Sequence, residues 1–381
     1  MINISDYLSL IHLILICIGV IGNGINIAIF AQKEIRKMST FRLLLYLSII
    51  DLLVLLISAT DSLITYKLEF QIRLQSNLAC KLHTYLTYFL THLSSVVLML
   101  VSIERAIVIM NGKRWDRCHV TQQKKVIINK FDSVRIEINY LSLNRIEKFL
   151  IMVILFTGLI NSHYLIYMNL YRVDSTNSTM DQVMKNTDSL LVNTVSELRK
   201  QLFKSANKTD LLSLVLSKNE KENLNSFACY PQDGSFYSYF LNNIWFWIDT
   251  MVYSVIPFFV MVICSLCILI KINKSTHRLR NNNRRSNLVL SKRLMHRNNQ
   301  ILVMLFATNF YFIITSLPHC VLFYLYNSEM SLFTQNSLIL VNIMSYSNNS
   351  IYFIFFILFS QIYRQAFFSL IRCSKYSPIQ R

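Results

Sequence analysis

The sequence predicts an all-α membrane protein: a seven-transmembrane helix bundle with its N-terminus outside and a short amphipathic eighth helix at the inner surface. Three observations carry that expectation. The 381 residues are 53% hydrophobic and only 15% charged, where soluble domains carry about 25% charged residues. Seven apolar stretches are long enough to cross a hydrocarbon core, which takes about 20 helical residues. Lys and Arg alternate between rich and poor in the segments that separate those stretches.

The first stretch, 7–31, lacks a basic leader, is too long for a signal peptide and is followed by Lys33, Arg36 and Lys37. It reads as an uncleaved helix. Then come 41–66, 77–110, 147–169, 243–272, 294–326 and 332–359, each an apolar run of membrane-spanning length. Gln361 to Arg372 is amphipathic and is placed along the inner interface. The chain therefore divides into an outer N-terminus, 1–6, a seven-transmembrane domain, 7–372, and an inner tail, 373–381. Two connections are long: an inner loop, 111–148, and an outer loop, 169–242. In the latter, Ser189 to Ser217 carries Leu190, Leu191, Val195, Leu198 and Leu202 at helical spacing. No internal repeat is visible.

Charge sets the orientation. Twenty-six Lys and Arg lie on the side holding Lys33, Arg36, Lys37, Arg42, the inner loop, 271–300 and the tail, against eleven on the other side. By the positive-inside rule the N-terminus is outside and the C-terminus inside. The net charge of +18 is then an inner rim facing anionic lipid and an acidic partner. The partners expected are the lipid membrane and not nucleic acid, and the expected location is the plasma membrane, crossed several times. The sequons at Asn3, Asn177 and Asn207 fall on outer segments and are candidate glycosylation sites, while Asn273-Lys274-Ser275 falls inside.

Of eight cysteines, Cys17, Cys264, Cys267 and Cys320 lie in apolar runs as small core residues. Cys118 faces the reducing side. Cys80, at the outer start of 77–110, and Cys229, late in the outer loop, both face the oxidising side and are expected to pair, holding 229–242 over the mouth of the bundle. Cys373, just past the amphipathic stretch, is either a palmitoylation site or an unmodified thiol.

Glu104-Arg105 stands at the end of the apolar run 77–110, 25 residues after Cys80. Charges near a membrane are costly and usually functional, and at the inner end of a helix they can snorkel toward water. With the seven runs and their orientation, further residues in order make the chain resemble the rhodopsin-like G-protein-coupled receptors over roughly 7–372. They are Gly22-Asn23, Leu47-Ser48-Ile49-Ile50-Asp51, Glu104-Arg105-Ala106, Pro257, Pro318 and the run Phe359 to Phe367. Asn348-Asn349-Ser350 is most similar to the helix 7 run of invertebrate FMRFamide-type neuropeptide receptors.

The resemblance implies roles for these residues. Glu104 and Arg105 would serve coupling to a heterotrimeric G protein. Asp51, with Asn23 and Ser94 around it, would form either a Na⁺ site or a protonated, hydrogen-bonded carboxyl. No other cofactor is implied. Some parts depart from the family. Thr315-Ser316-Leu317-Pro318 lacks the large aromatic of helix 6, although Phe312 is retained. Counting back from Arg364 puts the helix 7 motif on Tyr352-Phe353-Ile354-Phe355-Phe356, where its marked residues differ, so helix 7 lacks its usual partner for Asp51. Ser265 and Asn298 stand where a Tyr and an acid are usual.

Thr87, at the position that binds ammonium in amine receptors, argues against a biogenic amine. Absence of Lys from 332–359 excludes a retinal Schiff base. No protease, hydrolase or clustered Cys/His pattern appears, so the chain is not expected to be an enzyme. Asp61 and Asp249 lie in outer halves of apolar runs, where lipid exposure would cost about 2.5–3.5 kcal/mol. They are expected to face the bundle, either as contacts for the cationic end of a short extracellular peptide or as capping and water-bound carboxylates. Glu69 and Glu329 add negative charge at the mouth. Tyr88, Thr91, His92, His319 and Tyr346 would line such a pocket, ordinary buried histidine being the plainer reading of the two His. The reading that follows is a cell-surface peptide receptor. A receptor-like protein that binds ligand without strong signalling is the alternative, and a transporter or channel is less favoured.

Overall fold

The computed structural model describes residues 4–36, 38–68, 70–110, 147–172, 227–232, 235–281, 300, 303–304, 306–316, 318 and 332–372. They form an all-α membrane bundle with one small hairpin. The elements are α1 (Ile4–Phe30), α2 (Ser39–Leu68), α3 (Asn77–Met110), α4 (Glu147–Tyr167), β1 (Asn169–Arg172), β2 (Phe227–Tyr230), α5 (Phe236–Lys274, continuing to Asn281), α6 (306–316), α7 (Leu332–Phe359) and α8 (Gln361–Ile371). Helices α1 to α5 are each long and apolar enough to cross a membrane, and α7 with α8, bent by 98°, form a sixth such unit. The 294–326 run is described only in part.

The ends of α3 and α7 coincide with the limits of their apolar runs. Elsewhere they differ. Helix α1 begins at Ile4 rather than 7, and α5 begins at Phe236 inside the expected loop 169–242. Ser235 caps α5 by accepting from the Ser238 N–H at 3.1 Å, which starts the helix ahead of its apolar part. The hairpin was not foreseen. Its strands have four residues each, too short for a period-2 pattern to declare itself.

Two glycines set the packing of α1 on α7. A Cβ on Gly19 would lie 2.6 Å from Ser350 Oγ and 2.9 Å from Ser350 Cα, and one on Gly22 would lie 2.9 Å from Phe353 Cβ. Small residues let membrane helices approach this closely. At the inner end Phe30 meets Phe41, Phe356 and Tyr363 with ring centroids 5.5–5.6 Å apart. Tyr363 donates to Asn26 Oδ1 at 2.6 Å, and burial pushes its phenol above the ordinary range. Arg364 donates to the Ile357 and Leu358 carbonyls, satisfying the last turn of α7 where α8 departs. A second core, near the other end, joins Cys80, Tyr164, Met168, Tyr237 and Trp245.

Three helical stretches widen to π turns: Leu55–Ala59 in α2, and Leu241–Trp245 and Met251–Val255 in α5. Such turns shift the facing of everything beyond them and recur at functional sites. In α2 the Thr60 hydroxyl donates to the Leu55 carbonyl at 2.9 Å, occupying an acceptor that the wide turn frees.

Candidate functional site

The site is a polar column through an apolar bundle, and it begins at the outer end. Cys80 of α3 is disulfide-bonded to Cys229 of β2, with Cα atoms 5.6 Å apart. Leu170 of β1 pairs with Cys229 in the hairpin, and the Leu170 N–H donates to Asn77 Oδ1 at 3.0 Å. The hairpin is thereby tied twice to the start of α3.

The two outer acids have different surroundings. Asp61 is buried. Its Oδ1 accepts from the Ile72 N–H at 3.2 Å, and its Oδ2 lies 3.7 Å from His83 Nε2. It caps the single turn Ile72–Leu74, as a carboxylate at a helix start does. Asp249 sits on Phe246–Thr250, between the two π turns of α5. Its side chain is 26% exposed, and its Oδ1 lies 2.8 Å from Nε2 of the buried His92 of α3. Asn161 of α4 completes the group, with Nδ2 3.0 Å from His92 Nδ1 and 2.8 Å from the Thr157 carbonyl.

The other expected pocket residues fall nearby. Tyr88 stacks on Tyr164 at 4.6 Å. Thr87 accepts from Ser58 Oγ at 3.2 Å. Thr91 turns its hydroxyl to the Thr87 and Tyr88 carbonyls. Tyr346 stacks on the buried His12 of α1, with centroids 5.7 Å apart and planes 9° apart. His319, Glu69 and Glu329 lie outside the described residues, as do Asn3, Asn177, Asn207 and Cys373.

In the middle, Asp51 is buried. Its Oδ1 accepts from Ser94 Oγ at 2.6 Å and from Asn349 Nδ2 at 2.7 Å. Asn23 donates to the Asn349 carbonyl at 2.8 Å, so it braces α7 and does not bond the carboxylate in this arrangement. Helix 7 supplies a partner for Asp51 from outside the aligned motif: Asn349, three residues before the position where the usual partner would stand. Ser94 and Asn349 both point hydrogens at Asp51, whereas a Na⁺ shell is built of oxygen lone pairs. The residues as arranged fit a hydrogen-bonded carboxyl better than a cation cage. Beside it a small cavity of mixed lining lies among Thr91, Ser94, Leu98, Phe312, Asn348 and Asn349.

Hydroxyls tie α5, α6 and α7 together at this depth. Tyr253 and Ser345 are 2.7 Å apart, and Tyr311 and Ser347 are 2.6 Å apart. Asn309 donates to Ser265 at 3.2 Å. Thr315 and Ser316, in place of a large aromatic, turn to their own helix at the Tyr311 and Phe312 carbonyls.

At the inner end the Glu104 carboxylate accepts hydrogen bonds from Ser39 and Thr40 in the first turn of α2. Arg105 Nε lies 3.8 Å from Glu104 Oε2. The start of α2 has no side-chain cap from Met38, and its dipole favours an anion there. Arg42, one turn further on, pairs with Glu147 of α4. Sequence reasoning named Glu104 and Arg105 and missed Ser39, Thr40, Asn161, Asn349 and the role of His92. A polar amide or imidazole inside an apolar run, as at Asn161 and His92, was the available signal.

A family model described as serpentine type 7TM GPCR chemoreceptor Srw matches residues 217–374, the carboxy-terminal part of the chain. No curated protein matches the sequence. Apolar helices of membrane-spanning length, a disulfide at one end of the bundle and this similarity give the described part of the chain the character of a GPCR-like, multi-pass membrane protein.

Proposed function

We propose that the chain is a rhodopsin-like, cell-surface receptor that binds the cationic end of a short extracellular peptide and couples to a heterotrimeric G protein. The observation that carries this is Asp249: an outer-half carboxylate, partly exposed and aimed at the bundle, whose one hydrogen-bond partner among the described residues is His92 Nε2 at 2.8 Å. A basic group entering the bundle would find its counter-charge there, flanked by Tyr88 and Trp245, whose rings lie 6.3 and 6.4 Å from that of His92. Asp61 is the weaker contact, because the chain already uses it as a cap.

Binding would favour a form in which the inner ends separate, provided the ligand holds that form more tightly. The hydroxyl pairs Tyr253–Ser345 and Tyr311–Ser347 join the helices that would shift. The Glu104–Arg105 pair is the output, and Ser39 and Thr40 hold its acid in the closed form. Short amidated peptides applied to cells expressing the full chain, read for binding and for G-protein activation, test this. A basic peptide that binds and activates supports it.

A second reading is a receptor-like protein that binds and does not signal. Thr315 and Ser316, turned to their own helix where a bulky switch is usual, favour it. Binding without activation would select it.

A further inference from the structure

The proposed cation contact depends on how Asp249 is held, and three helices converge on that question. Asn161 Nδ2 lies 2.8 Å from the Thr157 carbonyl, which can only accept. The amide nitrogen is therefore on that side and presents its second hydrogen to His92 Nδ1, 3.0 Å away. Nδ1 must offer a lone pair, so the imidazole hydrogen is on Nε2, and it points at Asp249 Oδ1. Asn161 thus selects the tautomer, and His92 steadies the carboxylate with an N–H while adding no positive charge.

The surroundings support that selection. His92 and Asn161 are buried, at 1% and 0% exposure, while the Asp249 side chain stays partly open. The Asp249 segment is flanked by wide turns on both sides, which leaves its facing to be set by a partner on another helix. No Lys or Arg is hydrogen-bonded or ion-paired to Asp249 among the described residues. We infer that His92, oriented by Asn161, is the positioning residue that makes Asp249 specific for a guanidinium or alkylammonium group over a neutral isostere. The inference rests on the cationic-ligand reading above.

The test uses the purified full chain in lipid nanodiscs and two probes of nearly equal shape, arginine amide and its uncharged analogue citrulline amide. Affinity is taken from the rise in unfolding midpoint with probe concentration. Wild type is expected to prefer the charged probe. His92→Gln keeps an N–H close to the Nε2 position, and His92→Asn is too short to reach Asp249; both keep a polar residue at the site. His92→Gln should hold the preference within about threefold, and His92→Asn should lose about tenfold or more, the usual cost of a hydrogen bond to a charged group. Asn161→Asp would accept a hydrogen from Nδ1 and so turn the neutral imidazole's lone pair at Nε2 toward Asp249, withdrawing the N–H that holds the carboxylate; it should also lose the preference.

Equal preference in His92→Gln and His92→Asn, with Asp249→Asn losing it, would overturn the positioning role and leave the cationic-ligand reading standing. Undiminished preference in Asp249→Asn, or none in wild type, would remove the reading and this inference with it.

Discussion

Asn349 of α7 donates to Asp51 of α2 at 2.7 Å, and Ser94 of α3 donates to the same oxygen at 2.6 Å. One carboxyl therefore joins three helices in the middle of the bundle. In hydrocarbon no water competes for these groups, so each must find its partner within the protein.

Asn349→Leu removes a donor to Asp51 and should lower the stability of the detergent-solubilised protein by about 1.5–3 kcal/mol, as expected for a bond to a charged or strongly polar group. A thermal unfolding series would show it. At constant ionic strength, exchanging sodium chloride for choline chloride should leave the wild-type midpoint unmoved. A rise specific to sodium, lost in Asp51→Asn, would restore the cation reading of this site.

The two close-contact glycines make a sharper test of packing. Gly19→Val and Gly22→Val should each cost about 1–3 kcal/mol through overpacking against Ser350 and Phe353. Gly24, where an added Cβ meets nothing within 4 Å, should accept Ala with no loss and with up to about 1 kcal/mol of gain in helix propensity. Surface expression and unfolding midpoints would separate the three positions.

Removing the hydroxyls that hold Glu104 should loosen the inner end. Ser39→Ala with Thr40→Val removes two charge-assisted bonds and is expected to raise basal G-protein activation by about tenfold for each, up to about a hundredfold together, through their weight on a two-state equilibrium. Arg105→Ala should abolish coupling and leave ligand binding in place. Unchanged signalling in Arg105→Ala would sink the role assigned to it.

The outer acids should part company. Asp249→Asn is expected to weaken binding of a basic peptide with surface expression retained. Asp61→Ala should lower both together, because it strips the cap from Ile72–Leu74. Equal expression losses in the two variants, measured by surface labelling, would make both acids structural.

Breaking the Cys80–Cys229 disulfide should cost about 2–5 kcal/mol, given the long stretch of chain it closes. Cys80→Ser, Cys229→Ser and the double variant should be equally impaired in surface expression, because either change removes the same bond. A double variant markedly worse than both singles would show that one cysteine has another role.

Much of this is legible in the sequence. The span limits of α3 and α7 follow from where apolar residues start and stop, a local property. Cys80, at the outer start of the 77–110 run, and Cys229, in the outer loop, are the two cysteines that the topology puts on the oxidising side, and that brings them together. Asn349 stands in the run Asn348-Asn349-Ser350, but its contact with Asp51 is not legible in the sequence, because the aligned motif falls on Tyr352 one turn later. Gly19 against Ser350 and Gly22 against Phe353 fix the rotation of α7, and that rotation carries Asn349 to Asp51. Asp61 looked like a twin of Asp249 by depth and neighbourhood in sequence. They differ because a short turn beyond the end of α2 folds back onto one, while a histidine of α3 meets the other.

The sequence by itself determined the class of molecule: lengths of apolar run, the asymmetry of Lys and Arg, and the side on which each cysteine lies are properties of single segments facing lipid or water. Only the tertiary structure decided which polar group meets which. A helix in a membrane can turn about its axis with little change in its own energy, and close packing with its neighbours selects one turn. Asp51 thereby meets Asn349, Asp249 meets His92, and Glu104 meets Ser39 and Thr40.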